Sequence, residues 1–130
     1  MTTDLWYLVW TALLTTVIPM IYLAGRIQMP GGLQWALGSR DEPFEIPDWA
    51  RRAERAHANL TENLATFAAL VLVAHVAGKA NATTALGAQI FFWARIAHVA
   101  VYTAGIPGLR TGVFFVGAAG ELMILFQLFK

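Results

Sequence analysis

Apolar residues fall in four long runs along the chain, and polar residues gather between them. The runs cover about residues 5–24, 56–76, 83–103 and 111–128. Each approaches the roughly 20 residues that an α-helix needs to cross the hydrocarbon of a bilayer. The first run carries no charge, and Trp6, Tyr7 and Trp10 stand near one end, where aromatic rings anchor at a membrane interface. Pro19 removes an amide donor from this run and is expected to kink it. Turns are predicted at Pro30–Gly32 and Arg40–Pro43. Between them, Leu33, Trp35, Ala36 and Leu37 predict a short interfacial helix. Asp48 is placed to cap the next long helix, which opens near Trp49 with Arg51, Arg52, Glu54 and Arg55 in its wet first turns. Gly78, Lys79 and Asn81 make a tight outer turn, and Gly105, Pro107 and Gly108 end the third run. The pattern predicts an all-α fold: one four-transmembrane-helix antiparallel bundle over residues 1–130, without internal repeats.

Composition sharpens this picture. The chain is 58% hydrophobic and 13% charged, too apolar for a water-soluble domain of 130 residues. A net charge of +1 supplies no basic field for nucleic acid. With no cysteine there is no disulfide, thiolate metal site or cysteine nucleophile, so any reactive thiol has to come from a substrate. The three histidines are too scattered for a zinc signature, and no metal site is expected. Asp4 stands where a signal peptide would be basic, so the first run reads as a retained span. Arg26, Arg40, Arg51, Arg52, Arg55 and Arg110 lie on the side of the first and third loops, with only Lys79 and Lys130 opposite. The positive-inside rule therefore places the long first loop in the cytoplasm and both termini outside.

Ionisable groups at membrane depth need a partner or a task. Arg55, Asn59 and Glu62 share one face of the second span, and Thr66 continues it. Arg95, His98 and Tyr102 form a stripe on the third span, and Glu121 lies within the fourth. At about 1.5 Å rise per residue, Glu62 lies roughly 10 Å in from the loop side, and Arg95 and Glu121 roughly 15 Å. Either acid is a candidate partner for Arg95. Such a network can simply hold the helices in register. It can also hold a charged ligand, because arginines grip carboxylates in pairs of hydrogen bonds and Asn59 offers both donor and acceptor. The ligand reading is preferred, since the charges cluster near one membrane face. His75 and Lys79 read as outer-interface residues, His57 as an inner-interface one and His98 as a satisfied packing residue. Trp35 and Trp49 read as anchors. Ala82, Ala85, Ala88, Gly117, Ala118 and Gly120 allow close helix contact of the kind that oligomers use.

The run Arg55-Ala-His-Ala-Asn59-Leu-Thr-Glu62 resembles the second-span signature of the membrane-associated proteins in eicosanoid and glutathione metabolism, the MAPEG superfamily. The stretch from Trp93 through Arg95, His98 and Tyr102 to Arg110-Thr111 is similar to that family's third span and following loop. The resemblance reaches across nearly the whole chain and looks most like a small bacterial branch, in an inner membrane. It implies a homotrimer of four-helix protomers, with glutathione as co-substrate between subunits near the cytoplasmic face and apolar substrates arriving from lipid. Carried over by residue, Arg55, Asn59 and Glu62 contact or organise glutathione, Arg95 lies beneath it, Tyr102 stands near it, and Arg110 stabilises its thiolate. Ala58 replaces a second arginine found in some members, Thr111 keeps a hydroxyl where one has serine, and Phe114 replaces a common tyrosine.

The resemblance thus leads to a glutathione transferase, with lipid-hydroperoxide reductase activity as an extension. A thiol of pKa about 8.5 is mostly protonated at neutral pH, and a nearby guanidinium favours the thiolate. Arg110 takes that role and Thr111 donates a hydrogen bond. The rival is a non-catalytic scaffold that binds lipid or glutathione. A transporter or channel would need polar groups across the whole bilayer, and the outer half offers little beyond His75 and Gln89.

Overall fold

Hydrophobic periodicity and the turn residues produce five helices in a computed structural model that describes residues 1–130. They are α1 (Thr3–Ile27), α2 (Gly32–Leu37), α3 (Asp48–Val76), α4 (Ala82–Ala104) and α5 (Pro107–Leu128). All but α2 are long and apolar enough to cross a membrane. The chain is an integral membrane four-helix bundle, with the short α2 in the first loop.

The helix ends correct several expectations. Asp48 is the first residue of α3 rather than its side-chain cap, and Pro47 takes the cap position. A carboxylate in a first turn still complements the helix dipole. Arg110 stands on α5 itself, because the helix begins at Pro107, four residues before the span expected from Thr111. Gly105 stops α4 by adopting φ 80°, a left-handed conformation that costs glycine little. Pro107 then restarts the chain as a helix at once, because its fixed φ suits a first helical position. The α1 helix runs unbroken across Pro19.

The α3–α4 pair forms the middle of the bundle, with α1 and α5 on its two flanks. The Phe67 and Phe91 rings stack at 4.0 Å between centroids, and Val71, Ala74, Ala88 and Ile124 bury around them. Helices α4 and α5 approach at backbone distance. A Cβ on Gly120 would lie 2.6 Å from the Gly87 carbonyl oxygen, and one on Gly117 would lie 3.3 Å from Arg95 Nη2. Gly117, Gly120 and Ala88 are therefore consumed inside the protomer, not left free for a neighbour as the sequence pattern suggested.

Polar contacts fasten the bundle at both ends. At the end that holds the α3–α4 turn, the buried Thr84 hydroxyl donates to Asp4 Oδ2 at 3.2 Å, and Asn81 closes a capping box with Thr84. At the other end, called here the loop side, Arg26 of α1 pairs with Glu54 of α3. Tyr22 Oη and His57 Nδ1 form a hydrogen bond of 3.2 Å, so His57 joins α3 to α1. The Arg26 guanidinium also lies 5.3 Å from the Trp35 ring, and Trp35 Nε1 donates to the Glu42 carbonyl. Trp35 thus ties the long loop to the bundle rather than to lipid alone.

Candidate functional site

Arg95 occupies the centre of the loop-side half and is 1% exposed. Its Nη1 donates to Asn59 Oδ1 at 3.1 Å. Its Cζ lies 4.7 Å from the centroid of Phe91 and 5.1 Å from that of Phe114, so two aromatic rings face the cation. Nε and Nη2 have no hydrogen-bond partner in the protein. No carboxylate lies within 4 Å, and the single ion pair of the chain is Arg26–Glu54. The expected partner Glu62 is exposed on α3, as are Arg55 and Thr66. Asn59 stands at the inner edge of that stripe and alone reaches α4. Glu121 is partly buried, and one of its carboxylate oxygens has no partner. Its field reaches Arg95 without direct contact.

Above Arg95 lies a cavity of about 300 Å³ bounded by Asn59, His98, Tyr102, Arg110, Thr111 and the phenylalanines Phe114 and Phe115. Helical spacing brings these groups together. His98 and Tyr102 are one turn apart on α4, and Arg110, Thr111 and Phe114 occupy the first two turns of α5. The Arg110 guanidinium lies 4.7 Å above the Tyr102 ring, which holds it over the cavity mouth. The His98 ring meets the Tyr102 ring edge-on at 5.5 Å, and His98 Nδ1 is buried without a partner. A smaller recess of about 150 Å³ adjoins, and Tyr102 and Arg110 line it together with Arg52.

Of the residues expected to form a site, Asn59, Tyr102, Arg110 and Thr111 share the cavity, and Arg95 supports it from below. Arg55 and Glu62 do not line it within one protomer. They lie on an outward face of α3, open to a neighbour or to lipid. His98, read from the sequence as a packing residue, is a cavity residue. Its spacing of three from Arg95 and four from Tyr102 was the available signal. Phe114 lines the cavity with a ring that has no hydroxyl. The lining contains a guanidinium, an amide, a phenol and a hydroxyl but no carboxylate, so the cavity suits an anionic guest.

The model of the MAPEG family matches residues 5–130. Microsomal glutathione S-transferase 1 of Homo sapiens is 32% identical over 84 residues, covering 64% of this chain and 54% of the relative. The Rattus norvegicus protein of the same name is 32% identical over 80 residues, 61% of this chain and 52% of the relative. The chain thus matches about half the length of these curated relatives. No solved structure matches it.

Proposed function

Since the chain belongs to the MAPEG family, we propose that it is a membrane-bound glutathione transferase that activates the glutathione thiol beside Arg110. The observation that carries this reading is the loop-side cavity, where Asn59, Tyr102, Arg110 and Thr111 converge above the buried Arg95. The microsomal relatives have glutathione transfer in their names, and their similarity supports carrying that chemistry over.

In the proposed reaction, the Arg110 guanidinium favours the thiolate over the thiol, and the Thr111 hydroxyl donates to the sulfur. The thiolate then attacks an electrophilic carbon and forms a thioether as the leaving group departs with its electron pair. With a lipid hydroperoxide, it attacks the terminal oxygen and releases the lipid alcohol. A second glutathione then reduces the resulting sulfenic acid to water and a disulfide. Asn59, Tyr102 and Arg95 orient the tripeptide, supplying proximity rather than bond-making chemistry.

Arg55 and Glu62 enter this reading through a homotrimer. Their stripe on α3 is charged, exposed and within a spanning helix, which lipid tolerates poorly. A neighbouring copy gives these side chains a partner, and the tripeptide then lies between subunits. The same reading places the protein in a bacterial inner membrane with the loop side in the cytoplasm, where glutathione is available.

The direct test is glutathione binding to detergent-purified protein, with oxidised glutathione and a thiol lacking the tripeptide as controls. Selective, saturable binding of glutathione is expected; failure of assembled protein to bind removes the proposal. A second reading, a non-catalytic scaffold, draws support from Ala58 and from the bare ring of Phe114 in the cavity. Turnover of a model aryl halide or lipid peroxide separates the two.

A further inference from the structure

The recess beside the cavity brings two arginines together without an acid. Arg52 and Arg110 line it with Tyr102 and the α4–α5 turn. Arg52 is held there because its Nε donates to the Thr103 carbonyl at 3.0 Å, which leaves both terminal nitrogens of the guanidinium for another acceptor. The first turn of α5 faces the same recess and has no side-chain cap. Two guanidiniums with no carboxylate in the lining select a compact anion.

An apolar groove of about 540 Å³ lies one residue along the chain from this recess: Ala104 lines the groove and Gly105 the recess, and the Thr103 carbonyl that holds Arg52 belongs to a groove residue. It runs between α1 and α4, with Val17 and Ile21 on one wall, Val99 and Ala100 on the other, and Trp49 at the loop-side end. From Ile96 to Ala104 it follows α4 for roughly 12 Å. An anion site at the interface, beside an apolar groove descending into the bilayer, has the layout of one amphipathic molecule.

We propose that this end of the protein binds one anionic phospholipid of the loop-side leaflet. The phosphate sits between Arg52 and the first turn of α5, and one acyl chain lies in the α1–α4 groove. Charge complementarity selects the headgroup and the groove selects the chain. This inference goes beyond the transferase reading and needs no glutathione.

Native mass spectrometry of the delipidated full chain, titrated with phosphatidylglycerol, tests it. The matched controls are diacylglycerol with the same chains and glycerol phosphate with none. Arg52→Gln is expected to weaken phosphatidylglycerol binding about tenfold, the scale of one charge-assisted hydrogen bond. Ala100→Trp fills the groove without touching the arginines and is expected to weaken it comparably. Diacylglycerol should bind about tenfold more weakly than the phospholipid, and glycerol phosphate should not saturate. Unchanged phospholipid binding in both variants overturns the proposal. So does equal binding of diacylglycerol, which would make the site a mere groove. Loss of glutathione binding in Arg52→Gln with phospholipid binding intact would assign the recess to the tripeptide instead.

Discussion

Each polar side chain in the loop-side half is defined by what it can still bind. Arg110 has no acid near it and leans on the Tyr102 ring, so its charge is available to a thiolate. Arg110→Ala is therefore expected to lower turnover by roughly a hundredfold while glutathione affinity changes much less. Steady-state kinetics and equilibrium binding on the same preparation check this; equal losses in both would remove Arg110 from the thiolate role. Arg95 was legible as a buried residue from its position in an apolar span, but its partner was not. Helical spacing gave Glu62 and Glu121 equal standing, because three-residue and four-residue steps fix a face only to within a sector. Packing decided the matter by turning Asn59 inward and Glu62 outward. His98 packs against Tyr102 and Phe114 as expected, but its Nδ1 is unsatisfied and it also lines the cavity, since a sequence shows spacing but not which side of a helix a cavity occupies.

Among the helices, α4 and α5 are the pair with least room to adjust. The backbones touch at Gly87 and Gly120, and neither position accepts a Cβ without separating the helices. Gly120→Ala is expected to destabilise the protein by about 1–3 kcal/mol. It should also disturb glutathione binding from a distance, because α4 and α5 together line the cavity. Thermal unfolding in detergent alongside binding measures both effects. At the end away from the cavity, Asn81→Ala removes the capping box of α4 and is expected to cost about 1 kcal/mol without altering binding. The spans themselves were legible because lipid demands long apolar runs. The helix termini were less so, since wet turns such as residues 48–55 are helical but not apolar. The small residues of α5 illustrate the same gap: their pattern announces a close contact without naming the surface that makes it.

For the whole molecule, the absence of native cysteine makes sidedness directly measurable. Ser39→Cys in the first loop and Lys79→Cys in the α3–α4 turn lie at opposite ends of the bundle. In intact cells, an impermeant maleimide is expected to label Lys79→Cys and spare Ser39→Cys; the reverse pattern would invert the proposed topology. Bundle architecture and family membership could be anticipated from residues alone, whereas the flank on which the cavity opens could not. That flank follows from how α1 is fastened. Asp4 holds its first turn to α4, while Tyr22 and Arg26 hold its loop-side end to α3. A beam pinned at both ends acts as a strut, not a door. Under the proposed function, a guest of the loop-side cavity reaches it on the α5 flank, because α3, α4 and α5 line it and α1 does not, and shortening the amino terminus beyond Asp4 would free the strut at one end.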